Sequence, residues 1–376
     1  MQSVEVYEQH RESVRRFAEQ EVKPFAAIVD RDARFPAESI RAFPKLGLSG
    51  LPFPENLGGS AADLMAQVVT VEEVARTCAS SAHLLLTPWV ALAPLVAAGS
   101  DELQRQIVPR VASGQAMASF CLTEPSGGSD LAGIKTAVER TADGWRLNGT
   151  KRFISNGGSS DWYAVLARSG ERAFGVFMVH RDDPGLSFGA QEKKMGTRGS
   201  PLSDVIFDDC VIPHGRVVGD PSEGYSLMNR ILTYSRPLVA AQALGIAQGA
   251  LEEAIAYTSQ RSQFNTKISR FQMVRGMVAD MTTEVEAARS LLYRAVAIAG
   301  DNDDRARGFA SMAKLMCSNT AMSVTTNAVQ LHGGYGYLED FPVERMMRDA
   351  KITQIWEGTN QIQQLVIAKY AYSATE

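Results

Sequence analysis

The chain has 376 residues, 45% of them hydrophobic and 21% charged, which is enough for roughly two or three packed units around a large core. Its formal net charge of -4 offers no basic stripe to neutralise phosphates, and this argues against a nucleic-acid partner. Cys78, Cys121, Cys210 and Cys317 lie far apart and the five histidines fall at no metal-ligand spacing, so neither a disulfide framework nor a metal centre is expected.

Met1 is followed by Glu5, Glu8 and Arg11 instead of a basic patch and an apolar run, so no secretory signal is expected and a reduced cytosol fits best. From Val4 to Gly114 apolar residues recur at helical spacing, with Phe17, Val22, Phe25 and Ile28 early and Val68, Val71 and Val74 later. The proline- and glycine-rich segment 51–59 interrupts this pattern as an ordered loop. Pro88 and Pro94 are expected to break the longest apolar run, 84–98, which leaves no membrane span of about 18 residues.

Beyond Ala118 the texture changes to short apolar runs at 145–147, 162–167, 174–179 and 205–207, with Asp143-Gly144 and Asn148-Gly149 as turn signals. Strands without intervening helices imply an antiparallel sheet or barrel. Helical periodicity returns over 225–261, 268–299, 304–332 and 341–373, with turns at Asn265, at Gly300 with Asp301, and at 332–336. The expected architecture is an N-terminal α-helical domain (1–117), a middle antiparallel β-barrel or sandwich domain (118–223) and a C-terminal four-helix bundle (224–376).

Three segments invite a chemical reading. Glycines 333, 334 and 336 follow a helical run instead of a strand, so a dinucleotide fingerprint fails and a turn at a helix end remains. The segment T-E-P-S-G-G-S-D at 123–130 packs small residues into a stiff turn whose backbone N–H groups can approach a planar ligand; an ordinary polar hairpin end is the plain alternative. In I-W-E-G-T-N-Q-I-Q at 355–363, Gly358 ends one helix and Thr359 can cap the next, which leaves Glu357 in a break between apolar side chains where its basicity would rise. A lone glutamate at such a junction is otherwise a surface or capping residue.

Together these segments resemble the acyl-CoA dehydrogenase family over essentially the whole chain. The signatures read C-L-T-E-P-S-G-G-S-D at 121–130, K-R-F-I-S-N-G at 151–157, L-H-G-G-Y-G at 331–336 and M-R-D-A-K-I-T-Q-I-W-E-G-T-N-Q-I-Q at 347–363. By that resemblance Phe120, Cys121, Leu122, Thr123, Gly128 and Ser129 line the flavin of FAD, and Phe153, Ile154 and Ser155 pack beside it with the Ser155 hydroxyl near N5. Thr359 and Gln361 hold the FAD tail, with Arg261, Phe264, Gln272, Gln330, Gly333 and Gly334 supplied by a neighbouring subunit. This implies at least a dimer, and by family habit a homotetramer. Arg236, Ser129 and Gly358 fall on the substrate side.

The implied reaction is α,β-dehydrogenation of an acyl-CoA to the trans-2-enoyl-CoA. Glu357 is the base for the α-proton, flavin N5 accepts the β-hydride, and an electron-transferring flavoprotein reoxidises the flavin. Some members carry their base at the position of Ser235, which cannot ionise usefully, so Glu357 is the base this resemblance offers. Two departures stand out: Phe153-Ile154-Ser155 replaces the usual Trp-Ile-Thr, and Asn265 replaces a glycine whose backbone angle it must accept. The same residues would serve an acyl-CoA oxidase or a carrier-protein-linked desaturase, and a catalytically silent scaffold is the non-enzyme alternative. The stretch around Ala82, His83, Leu86 and Trp89 is expected to floor the acyl pocket, with bulky Leu86 and Trp89 favouring short or medium chains; the plain alternative is that they belong to the core.

Overall fold

A computed structural model describes residues 4–299 and 305–373. The chain begins with α1 (Val4–Phe17), which runs through a π-helical turn (Ala18–Val22) into α2 (Lys23–Arg31). The wide turn lies just before Pro24, which has no N–H to close a tighter one. After α3 (Ala37–Ala42), short 3-10 turns occupy much of 43–57, in keeping with the loop expected at 51–59. Helices α4 (Leu64–Thr77), α5 (Ala79–Ala98) and α6 (Asp101–Ala112) complete the first helical unit. Asp63 caps α4 by accepting the Ala66 N–H at 3.0 Å, and Ser100 caps α6 from Leu103 at 3.3 Å.

One expectation is overturned here. Pro88 and Pro94 do not break the apolar run, because α5 passes through both. A helix-interior proline costs ~3 kcal/mol, which burial of most apolar side chains of α5 offsets. Among the described residues α5 alone is long and apolar enough to cross a membrane, yet 78% of its apolar window is buried inside the protein, as for a core helix.

The middle of the chain forms β1 (Ala118–Cys121), β2 (Ala137–Arg140), β3 (Trp145–Ser155), β4 (Trp162–Arg168), β5 (Phe174–His180), β6 (Leu186–Phe188), β7 (Leu202–Ile212) and β8 (Val217–Val218). Their order is β6-β7-β3-β2-β4-β5-β8, with β1 pairing β4 off this path. The sheet is mixed: β1 and β2 run parallel to β4 and every other pairing is antiparallel. Strand alternation divides β4 between two cores. Trp162, Ala164 and Leu166 pack into the helical core, while Tyr163, Val165 and Ala167 join Leu147, Phe177 and Phe207 within the β unit.

The last unit comprises α7 (Gly224–Gln260), a hairpin of β9 (Ser262–Gln263) and β10 (Thr266–Lys267), then α8 (Gln272–Ala299), α9 (Ala306–His332), α10 (Pro342–Ile352) and α11 (Asn360–Ser373). The turn expected at Gly300 and Asp301 lies outside the described residues. Helices α7, α8 and α9 pack on one another, α7 and α8 also pack on α4, and the expected order of helical, β and helical units is borne out. Gly245 and Gly249 sit against the α4 backbone, where a Cβ would meet Glu72 O at 2.2 Å and Arg76 O at 2.3 Å. Charges around the buried Glu72 and Glu73 of α4 tie α1, α7 and α8 to it: Arg11 and Arg76 both bind Glu73, Arg289 binds Glu72, and Arg76 reaches Glu252 at 2.7 Å.

The 123–130 turn is anchored by a buried ion pair. Lys151 Nζ, on β3, donates to Glu124 Oε1 at 2.8 Å and to Leu122 O at 3.0 Å, and the carboxylate also accepts the Lys135 and Thr136 N–H groups at 2.6 and 2.9 Å. Lys151 is wholly buried. Removing one partner of such a pair strands the other, so Lys151→Met is expected to cost ~3–5 kcal/mol of folding stability. Guanidinium unfolding midpoints check this, and a loss below ~1 kcal/mol would show that the pair is not the anchor.

Candidate active site

Helix α10 ends at Ile352 and α11 starts at Asn360, and the seven residues between them hold the acidic candidate. Glu357 has φ +54° and Gly358 φ +86°, so the chain passes through two successive left-handed residues. Only the second is cheap: a non-glycine residue held there costs roughly 1–3 kcal/mol unless its surroundings over-determine it. They do so from below. Gln363 Nε2 donates to Glu357 O at 3.1 Å and to Gly358 O at 2.9 Å; Lys314 Nζ, on α9, donates to Gly358 O at 2.9 Å and to Asn360 Oδ1 at 3.0 Å. A Cβ on Gly358 would lie 2.7 Å from Gln363 Nε2, so the clamp also requires this glycine.

The same geometry frees donors. Among the described residues, the backbone N–H groups of Glu357, Gly358 and Thr359 donate to no group of the chain. Three successive unpartnered amides at the start of α11 form a concavity that accepts a carbonyl oxygen or an anion. Thr359 caps α11 by accepting the Ile362 N–H at 3.3 Å.

The Glu357 carboxylate is half-buried and accepts a hydrogen bond from Ser235 Oγ at 2.7 Å. Burial pushes its pKa above the ordinary carboxylate value, against the Ser235 hydrogen bond and the charges of Arg236 and Lys314. Both cations are themselves desolvated. Arg236 donates to Ser311 Oγ at 3.2 Å and leaves its Nε without a partner; burial takes its pKa down to about 10, with Glu357 opposing and Arg307 assisting. Lys314 falls to about 7, again through burial, with Glu357 opposing. Desolvation outweighs the mutual attraction at all three groups, as for a cluster held short of full ionisation.

The β unit reaches this cluster through one histidine. Ser155, at the end of β3, lies 2.8 Å by Oγ from His83 Nε2 of α5, and the His83 ring stacks on Trp356 at a centroid distance of 4.3 Å and 16° between planes. Phe153 projects beside it with φ +57°, 56% exposed under the Arg152 guanidinium, while Ile154 is buried. Cys121 and Leu122 are buried, Phe120 and Thr123 are half-buried, and Gly128 and Ser129 are exposed on the 123–130 turn.

The structure does not gather every expected residue in one cleft. Thr359 and Gln361 line a polar cleft of about 230 Å³ with Asn319 and Lys351. Arg261, Gln330, Gly333 and Gly334 line a separate one of about 420 Å³, with no lining residue in common. Beside the latter, Phe264 and Asn265 form the two-residue tip of the β9–β10 hairpin, at φ +51° and +60°, so Asn265 takes a left-handed angle that glycine would take freely. Phe264 is 90% exposed, Gln272 is exposed, and Arg261 faces the Tyr335 ring at 5.3 Å without an ion pair among the described residues. Leu86 and Trp89 are core: Trp89 is 1% exposed and its indole N–H donates to Ser49 O at 3.0 Å.

Sequence reasoning missed Lys314 and Gln363 as the clamp, and placed His83 on the pocket floor without its link to Ser155 and Trp356. A lone lysine in the apolar helical run A-S-M-A-K-L-M-C, 310–317, was the available signal for the first.

Three family models cover the chain in order: the acyl-CoA dehydrogenase N-terminal domain over residues 5–115, the middle domain over 119–210 and the C-terminal domain over 222–372. The chain belongs to the acyl-CoA dehydrogenase family. It is 46% identical over 370 residues to a probable acyl-CoA dehydrogenase of Mycobacterium bovis, covering 97% of this chain and 95% of that protein. It is 41% identical to the cyclohexane-1-carbonyl-CoA dehydrogenase of Geobacter metallireducens, with 95% of each chain covered. Butyryl-CoA dehydrogenase of Megasphaera elsdenii superposes with a TM-score of 0.95 at 34% identity over 99% of both chains. A structure described as the electron transferring flavoprotein of Acidaminococcus fermentans gives 0.95 at 36%, again over 99% of both. As a member of this flavoprotein family the chain is an oxidoreductase of acyl-CoA dehydrogenation.

Because the Ser235 hydroxyl favours the charged carboxylate, Ser235→Ala is expected to raise the Glu357 pKa further, and Lys314→Met to move it the same way. Titration of a carbon-13-labelled glutamate carboxyl reads both shifts. A downward move in either variant contradicts the assigned contacts.

Proposed function

We propose that this chain removes the α-proton of an acyl-CoA thioester with Glu357 and yields the trans-2-enoyl-CoA. The observation that carries the reading is the carboxylate of raised basicity held beside three unpartnered amides, with a stacked bridge to the Ser155 hydroxyl. A thioester α-proton is weakly acidic, so its removal needs a positioned base and donors for the charge that develops on the carbonyl oxygen. The Glu357 N–H is such a donor, and Arg236 and Lys314 keep a share of the carboxyl ionised within its desolvated site.

The residues present fit FAD. The unpartnered Thr359 amide at the start of α11, and Arg261, which makes no ion pair among the described residues, suit a pyrophosphate, and the exposed Phe264 and Phe153 offer faces for flat rings. The ring system would lie along Phe120 to Thr123, Gly128, Ser129 and Phe153 to Ser155. Thr359 and Gln361 would hold the tail together with Arg261, Phe264, Gln272, Gln330, Gly333 and Gly334 of a second copy. A bound flavin supplies, at N5, the acceptor for the hydride that leaves the β-carbon. The separation of the two clefts supports a site shared between copies, in a dimer or the tetramer habitual in the family. We assign Ser129, Arg236 and Gly358 to the substrate side, cytoplasmic localisation, and an electron-transferring flavoprotein as electron acceptor. The likeness to the Acidaminococcus structure supports the last of these.

Glu357→Gln is expected to keep its FAD and lose at least ~10² in turnover, since general bases contribute about 10² to 10⁴. A panel of acyl-CoA lengths with an artificial electron acceptor measures this and the chain-length preference together. Near-normal turnover would remove Glu357 from the role, and peroxide release in air would assign the chain to an oxidase.

Arg261→Ala is expected to lower the FAD content of the purified protein at least tenfold while subunit folding persists. Absorbance ratio and circular dichroism check this, and full retention of FAD would detach the cleft of about 420 Å³ from cofactor binding.

A further inference from the structure

His83 is a buried, neutral imidazole whose hydrogen-bond roles are fixed by its neighbours. Burial and the nearby Lys194 charge bring its pKa down to about 3, so one ring nitrogen carries hydrogen and the other does not. Nε2 faces Ser155 Oγ at 2.8 Å and Thr87 Oγ1 at 3.4 Å, while Nδ1 is buried with no partner. The Thr87 hydroxyl donates to His83 O at 2.7 Å, so towards Nε2 it offers only a lone pair. A hydrogen on Nδ1 would be an orphaned buried donor and would leave Nε2 facing that lone pair. The hydrogen therefore sits on Nε2 and is donated to Ser155.

This settles what Ser155 does with its own hydrogen. Its oxygen accepts from His83, its carbonyl accepts from Ser119 Oγ at 2.7 Å, and the hydroxyl has no other partner among the described residues. We propose that His83 is a positioning residue which, by donating to Ser155 Oγ, turns the Ser155 hydroxyl hydrogen outward as a donor to the oxidised flavin. The inference rests on the placement of the flavin beside Ser155 argued above. His83 also stacks on Trp356, next to the base, so one side chain of the first helical unit sets both the flavin-facing donor and the wall beside Glu357.

A hydrogen donated to N5 favours the oxidised form, in which that nitrogen is an acceptor, over the reduced form, in which it carries hydrogen. The test measures the reduction potential of the holoenzyme by dye equilibration, with the visible flavin spectrum and FAD content as companion readouts. His83→Phe keeps an aromatic ring on Trp356 but loses the donor. It is expected to favour the reduced flavin about tenfold, a rise of about 30 mV for a two-electron couple. Ser155→Ala should shift at least as far, and the double variant should match Ser155→Ala alone, because His83 acts through Ser155. His83→Gln, whose amide places a donor at similar reach, should stay near the wild-type value.

An unchanged potential in His83→Phe while Ser155→Ala shifts would overturn the proposal and leave the flavin placement standing. So would a His83→Phe shift that persists in the Ser155→Ala background, or a His83→Gln shift as large as that of Ser155→Ala. If Ser155→Ala and His83→Phe both leave potential and spectrum unchanged in an FAD-loaded protein, the flavin does not lie against Ser155 and the placement falls with the proposal.

Discussion

The chemistry proposed for this chain depends on a backbone held in an unfavourable shape. Glu357 occupies a left-handed conformation that its side chain disfavours, and it stays there because Gln363 and Lys314 bind the carbonyls of Glu357 and Gly358. With those carbonyls secured on one side, three amides on the same short segment remain unpartnered, and the carboxylate meets Ser235 and Arg236. Release of the clamp would relax the strain and scatter the carboxylate and the donors together. Strain, preorganised donors and raised basicity are thus consequences of one set of hydrogen bonds.

That arrangement makes use of all three structural units. The first helical unit contributes α5 and His83, the sheet contributes Ser155 and the turn anchored by Lys151, and the last unit contributes α7, α9 and the break before α11. The charges around Glu357 follow a similar logic. Burial lowers the pKa of Arg236 to about 10, which leaves it charged at neutral pH, and that of Lys314 to about 7, while both draw the Glu357 pKa down against its own burial. A base locked to a fully solvated cation would be ionised but weak, whereas desolvation keeps it strong.

Much of this was legible in the sequence, for identifiable reasons. Helical spacing, strand alternation and turn residues gave the order of the units, and Gly358 followed by Thr359 marked the break that carries Glu357. The parallel pairing of β1 with β4 was not legible, because alternation reports which face is buried and is silent about strand direction. Pro88 and Pro94 misled because local propensity was weighed without the tertiary burial of α5, which outweighs it. Lys314 and His83 act through contacts to residues 44 and 72 positions away, at Gly358 and Ser155, which no local pattern encodes. The residues proposed to come from a second copy, Arg261 and Phe264 among them, rest on the family resemblance, and nothing in their own spacing pairs them with Thr359 and Gln361.

The contact of Gly245 and Gly249 with α4 has a mechanical consequence. Where two helices meet main chain to main chain, no side chains lie between them to change rotamer and absorb sliding, so the seam behaves as a weld. Ser235 and Arg236 ride on the same long α7, roughly two and a half to four turns upstream of the two glycines, and share that immobility. The 123–130 turn and the 353–359 segment are not helical and have no such seam, so α7 serves as a fixed datum against which they can adjust.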